Sequence, residues 1–251
     1  MFVPVKIGQL SGYANLDTGA RHSSILQSYA ESFARVGERE IRTAFATAFV
    51  PQVRLERLQC RGETFPGLTV DILPNEAGDV ATLPFPVIVM LGSDMLLTFP
   101  LMVDFLTNTV GFLKTVPPDE APLVRLPANF CIGPPSFAMR LADQPVQAVW
   151  DTGAAMSVLH QKAIARFQDA LAEDEPLEAQ DPTGSSQQVP TYRCRDLRLG
   201  DTRLEPIRFL AINLSPIEQQ TGKPVDVVLG VNAMLGKCWI VDGPHAQILL
   251  R

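Results

Sequence analysis

The chain has 251 residues, 46% of them hydrophobic, and a formal net charge of −6. That suffices for one large domain or two of roughly 120 residues, and the acidic balance leaves no basic footprint for nucleic acid. Four cysteines (Cys60, Cys131, Cys194, Cys238) form no CxxC pair, and three scattered histidines (His22, His160, His245) lack zinc-ligand spacing. Neither a metal nor any other cofactor is expected, and the cysteines read as reduced thiols, with a disulfide left open.

In chain order, the start MFVPVKIGQLSG lacks a basic segment followed by a long apolar core. No signal peptide is therefore expected, and the expectation is a soluble, cytoplasmic protein. Residues 5–17, VKIGQLSGYANLD, predict strand, tight turn and strand, ending at Asp17. The tetrapeptide DTGA follows, and then Ile25, Leu26, Tyr29 and Phe33 fall at helical spacing with Ser23 as N-cap candidate. CRGET at 60–64 reads as a turn. The apolar stretch 87–106, VIVMLGSDMLLTFPLMVDFL, would bury Asp94 and accommodate Pro100 if it crossed a membrane. A buried strand, a turn and a short helix fit it better. PPDEAP at 117–122 can be neither helix interior nor central strand. It predicts a linker between two β-rich halves, 1–116 and 123–251.

The second half repeats the first. MRLADQPVQAVWD at 139–151 aligns with 5–17 without a gap, at an offset of 134 residues (Asp17 to Asp151). DTGA recurs, followed by Val158, Leu159, Ala163, Ile164, Phe167 and Leu171 at helical spacing, with Ser157 as N-cap candidate. AEDEPLE at 172–178 reads as a solvated acidic loop. RLGDT (198–202) falls on CRGET, and DVVLGVNAML (226–235) on VIVMLGSDML (87–96), both at an offset of 138 (Gly92 to Gly230). Val103-Asp104 then falls on Val241-Asp242, and the extra residues of the second half belong within 158–199. Periodicity of this kind is the mark of an internal duplication.

Each repeat ends an apolar strand on a carboxylate, in a turn opened by a glycine. If the halves face each other by pseudo-twofold symmetry, Asp17 and Asp151 meet. Two adjacent carboxylates cannot both ionise cheaply, so they share a proton and can act together as general base and general acid on one water. The chain has no HExxH, no GxSxG and no phosphate-binding glycine loop to suggest other chemistry. Asp94, Asp104 and Asp242 read as helix-start or turn carboxylates without visible partners, and the histidines as surface or locally satisfied groups.

DTGA after an apolar strand, with MLG (90–92) or VLG (228–230) downstream, resembles the retropepsin and pepsin group of aspartic peptidases, and DTGA resembles the retropepsin branch most. The resemblance implies a mainly β fold of two pseudo-twofold-related β-barrel lobes, each with a short helix or two and an active site between them. It implies a single-chain pseudo-dimer acting as a monomer on peptide or protein substrates, with neither nucleic acid nor membrane as partner. Asp17 and Asp151 would be the catalytic pair, with Thr18, Gly19, Ala20, Thr152, Gly153 and Ala154 forming the supporting loops. Flaps over the cleft are expected in TAFATAF, 43–49 (Ala46, Thr47, Ala48), and DPTGSSQQ, 181–188 (Thr183, Gly184, Ser185). The first lacks glycine, so a short, rigid or missing flap is expected there. Two departures stand out: Trp150 is bulky for its place before Asp151, and Ala20 and Ala154 replace the hydroxyl residue of pepsins. Without that donor the pair is expected to titrate higher and to work at weakly acidic to near-neutral pH.

Overall fold

The computed structural model describes residues 1–43, 46–116, 124–130, 133–180 and 185–251, so the expected linker at 117–122 lies outside the described residues. The fold is mainly β. In the first half the strands are β1 (Phe2–Ile7), β2 (Leu10–Leu16), β3 (Ser24–Leu26), β4 (Arg35–Arg42), β5 (Thr47–Cys60), β6 (Glu63–Leu73), β7 (Val87–Leu91), β8 (Leu101–Asp104) and β9 (Thr109–Phe112). Helices α1 (Gln27–Ala30) and α2 (Ser93–Leu96) interrupt them. The second half holds β10 (Val124–Asn129), β11 (Ser136–Leu141), β12 (Gln144–Trp150), β13 (Ser157–His160), β14 (Leu171–Gln180), β15 (Ser186–Cys194), β16 (Leu197–Leu199) and β17 (Thr202–Arg203). It continues through β18 (Ile207–Ile212), β19 (Val227–Leu229), β20 (Cys238–Asp242) and β21 (Gln247–Leu250), with helices α3 (Gln161–Phe167), α4 (Ser215–Thr221) and α5 (Val231–Met234).

The strand order of the first sheet is β1-β2-β7-β3-β6-β5-β4, and β5 returns to pair with β1, closing a six-stranded barrel. The second half runs β11-β12-β19-β13-β18-β15-β14, with β16 returning to β11. The two orders correspond strand for strand, including the parallel β2–β7 and β12–β19 pairs that put each Asp beside a buried strand end. Alternation decides which side chains go inward: Val3, Val5 and Ile7 of β1 are buried while Phe2, Pro4 and Lys6 are exposed.

The halves join through β8 and β20, which pair antiparallel with Met102 opposite Ile240 and Val103 opposite Trp239. Met102 and Ile240 also fall on each other at the sequence offset of 138. The buried core runs across this junction, from Leu16, Ile25 and Leu91 to Trp150, Leu229 and Trp239. Trp150 and Trp239 are fully buried with their rings 6.2 Å apart. The indole of Trp239 donates to the Met234 carbonyl at 3.1 Å. The bulk of Trp150 is therefore core packing across the base of the second barrel.

Several local expectations are corrected. Ser23 and Ser157 cap no helix: buried strands follow them, and the helices are shorter, starting at Gln27 and Gln161. The apolar residues 25–26 and 158–159 are central β3 and β13, each hydrogen-bonded to two neighbours, and sheet pairing overrides the helical spacing. AEDEPLE lies within β14, paired to β15 with a bulge between Asp174 and Leu177. The matched turns differ by one residue. Cys60 pairs with Glu63 around Arg61-Gly62, whereas Leu199 pairs with Thr202 around Gly200-Asp201. Segment 87–106 holds the expected buried strand and short helix, but a second strand, β8, follows them, and no described helix is long and apolar enough to cross a membrane. Cys60, Cys194 and Cys238 are buried free thiols, and burial pushes Cys60 up to about 11. Cys131 lies outside the described residues.

Because Trp239 fills the junction between halves, Trp239→Ala is expected to cost about 3–5 kcal/mol, read as a lower urea midpoint.

Candidate active site

The two DTGA loops lie back to back. Leu16 and Trp150 end β2 and β12, and the amides of Asp17 and Asp151 donate to the carbonyls of Leu91 (2.9 Å) and Leu229 (3.0 Å). Parallel pairing with β7 and β19 thus fixes the height at which each carboxylate leaves its sheet. The threonines then lock the loops across the axis. The amide of Thr18 donates to Thr152 Oγ1 at 3.1 Å and the amide of Thr152 to Thr18 Oγ1 at 3.0 Å. Each hydroxyl donates onward, Thr18 to the Trp150 carbonyl (3.0 Å) and Thr152 to the Leu16 carbonyl (2.7 Å). Both threonines are buried, with these bonds satisfying their polar atoms.

This exchange sets Asp17 and Asp151 near enough for each to influence the other's titration. Gly19 faces Asp151 and Gly153 faces Asp17 so closely that a β-carbon on either would overlap the opposing carboxyl group. The amide of Ala20 donates to Asp17 Oδ1 at 3.0 Å; those of Gly153 and Ala154 donate to Asp151 Oδ1 at 2.8 and 3.2 Å. Burial raises the pKa of Asp17 against these hydrogen bonds. Burial, reinforced by the charge of Asp17, pushes Asp151 up to about 7. Both carboxyls thus hold their protons above the usual carboxylate range, with burial as the main cause. Each residue keeps part of its surface open, so the pair is sheltered without being sealed.

Behind each loop lies a matching support that the sequence did not announce. Ser23 Oγ accepts from the Gly92 amide (3.0 Å) and donates to Asp94 (2.7 Å). Ser157 Oγ accepts from the Gly230 amide (3.0 Å) and donates to Asn232 (2.7 Å). Gly92 and Gly230 are required because a β-carbon would come within 2.7 Å of the backbone that follows the DTG of the same half, at His22 and at Ala154 and Met156 respectively. Ser93 adds a 2.6 Å bond to the Thr18 carbonyl. The offset that aligns the glycines also aligns Asp94 with Asn232, and that correspondence was the available signal.

The expectation that the other carboxylates lack partners is corrected. Asp94 holds Ser23 and lies 3.9 Å from His22. Asp104 accepts from the Leu106 amide and the Thr107 hydroxyl, and buried Asp242 accepts from Gln247, with His245 at 2.9 Å. His160 is buried: its Nδ1 accepts from the Lys162 amide, and its Nε2 lies 3.6 Å from Glu218.

The flap expectations divide. In the first half β4 pairs with β5 from Arg35–Val53 to Arg42–Thr47, a full-length hairpin and not a short or missing one. The Thr43 hydroxyl closes its end by accepting from the Ala46 amide at 3.0 Å, so glycine is dispensable. Ala46 lies at the tip, with Thr47 and Ala48 opening β5. In the second half β14 and β15 form the counterpart, up to Gln180–Ser186, with Ser185 just before β15. Thr183 and Gly184 lie outside the described residues.

A closed β-barrel carrying an Asp-Thr-Gly loop defines the class of retropepsin-like aspartic proteases. Residues 137–233 match the family model described as aspartyl protease. The matched span runs from β11 through the second DTGA loop to Ala233 in α5. No curated protein matches the chain.

Two outcomes follow from the site. Thr18→Val and Thr152→Val each leave buried partners unsatisfied, at a cost of about 1–3 kcal/mol. The double variant should lose less than the sum of the singles in denaturant titrations, because both act on one exchange. Protonation supplies the second. Asp151 has a raised folded pKa, so between about pH 4 and pH 7 the folded state binds more protons than the unfolded one. Stability should fall as pH rises through that window. Asp151→Asn should remove most of the fall, read as a flatter dependence of Tm on pH.

Proposed function

We propose that the protein is an aspartic endopeptidase in which Asp17 and Asp151 form one catalytic dyad, and that its halves, 1–116 and 123–251, are two lobes of a single-chain pseudo-dimer. The observation that carries this reading is the reciprocal Thr18–Thr152 exchange, which ties together the two loops that carry Asp17 and Asp151. The match to the aspartyl protease family supports the general class. The correspondence of the two strand orders supports the lobes.

In this reading ionised Asp17 takes a proton from a water as that water attacks the scissile carbonyl. Protonated Asp151 donates to the carbonyl oxygen, and the leaving nitrogen is then protonated to complete cleavage. An extended peptide would lie across the cleft, held through its backbone with alternate side chains in pockets. The β4–β5 and β14–β15 hairpins are suited to cover it and to exclude water. Ala20 and Ala154 bring no hydroxyl to the carboxyls, which favours the raised titration and a working range from weakly acidic to near neutral.

Asp17→Asn and Asp151→Asn should each reduce kcat/KM on a peptide library by at least the roughly 10²–10⁴-fold contribution of acid–base catalysis. Cleavage that survives either change would sink the shared dyad. Binding of statine-type peptides without any cleavage by the wild type would point to a silent peptide-binding protein. Activity confined to one protein partner would point to a dedicated processing enzyme. The wild-type profile should hold across the weakly acidic range and decline above about pH 7, where Asp151 loses its proton.

A further inference from the structure

Corresponding faces of the two sheets share an apolar lining, with Val50, Leu73 and Met90 on the first, but differ at three paired positions. In the second half this face holds Val158, Val189, Leu210, Ile212 and Val228, with Ala154 of the catalytic loop packed against them. Cross-strand pairs give the equivalents. Ser24 lies beside Asp71 as Val158 lies beside Leu210, after one residue of offset from the paired Ser157–Phe209. Arg39 pairs with Val50 as Leu177 pairs with Val189. Gln52 pairs with Asp71 as Thr191 pairs with Leu210. Where one wall carries Val158, Leu177 and Leu210, the other carries Ser24, Arg39 and Asp71.

Asp71 is almost wholly buried, and its acceptors are taken. Arg39 forms a two-point pair with it, Nε to Oδ1 at 3.2 Å and one Nη to Oδ2, and Gln52 donates to Oδ1 at 2.9 Å. Asp94 is taken by the amide and hydroxyl of Ser23. The donors are not exhausted. The Arg39 side chain is 29% exposed and has a second Nη group to offer. Exposed Arg21 follows the DTGA loop directly, and no carboxylate among the described residues pairs with it. His22 lies beside them, within electrostatic reach of Arg39, Asp71 and Asp94. Glu38 and Glu40 are exposed, alternating along β4 with inward Arg39 and Ile41. β4, which carries Arg39, packs against α4 of the other half.

We infer that the wall built by Arg21, Arg39 and Asp71 is a donor-rich subsite for an acidic substrate side chain, facing an apolar subsite at Leu177 and Leu210. The inference rests on the proposed peptidase reading and adds its substrate class: peptides carrying Asp or Glu on one side of the scissile bond and an aliphatic residue at the mirror position. Buried Asp71 holds the Arg39 fork in one orientation, so that its remaining N–H groups meet a planar carboxylate.

The test is cleavage of a peptide library randomised on both sides of the scissile bond. Glutamate should be favoured over leucine by about tenfold at one position only, a typical gain for a charge-assisted contact. The double substitution Arg39→Leu with Asp71→Leu gives the first wall the leucines of the second. Exchange of a buried ion pair for packed apolar residues generally preserves folding, to be checked by circular dichroism. This variant should lose the glutamate preference and cleave leucine-bearing peptides at least as well as before. Arg21→Gln should weaken the same preference and leave the apolar side unchanged. Aliphatic preference on both sides, or an acidic preference that survives the double substitution, overturns the inference. Calorimetry with statine peptides carrying Glu or Leu separates the two levels. Preferential Glu binding without cleavage keeps the subsite and removes the peptidase reading; equal affinities, or no binding, remove the subsite.

Discussion

Everything at the centre depends on two backbone amides meeting two hydroxyls across the axis. Each Thr hydroxyl accepts from the opposite loop and donates to the carbonyl before the opposite Asp. The exchange is buried, so no water can substitute for a missing partner, and its low-dielectric surroundings strengthen the bonds. Held this way, the two carboxyls are sheltered at the base of their loops. Their raised titration comes first from that burial, reinforced at Asp151 by the charge of Asp17.

The frame around the exchange carries its own redundancy. Parallel β2–β7 and β12–β19 pairing fixes the loops from the side, the serine–glycine supports fix them from behind, and β8–β20 fixes the two sheets relative to each other. Each support is made of short-range, directional bonds between elements far apart in sequence. The native arrangement must therefore form by long-range pairing, and local helical preference contributes little. This explains the overturned helix expectations: residues 25–26 and 158–159 have helical spacing, yet their burial between two strands is worth more than any four-residue helix.

Much was legible because the chain states its plan twice. The strand–turn–strand units, the DTGA loops and the downstream glycines are readable from residue alternation and from the offset. What sequence could not supply was register at the level of single residues. The turns at Arg61-Gly62 and Gly200-Asp201 look equivalent as strings but are shifted by one along their hairpins. The Asp94–Ser23 and Asn232–Ser157 supports were equally hidden, because an acid and an amide do the same accepting work and only their position reveals it. The β4–β5 hairpin escaped because a threonine hydroxyl there replaces the glycine that a turn was expected to need.

The pairing of Met102 with Ile240 has a consequence for how such a site can change. In an assembly of identical subunits, every substitution is written into both walls at once, and a buried acid such as Asp71 would arrive as a pair. In the proposed single-chain pseudo-dimer the symmetry is confined to the backbone, since residues equivalent in position are encoded separately. A single codon would thus alter one wall of the cleft and leave the other untouched. Such a chain would keep a twofold geometry for its carboxyls and still be free to read a sequence that has direction.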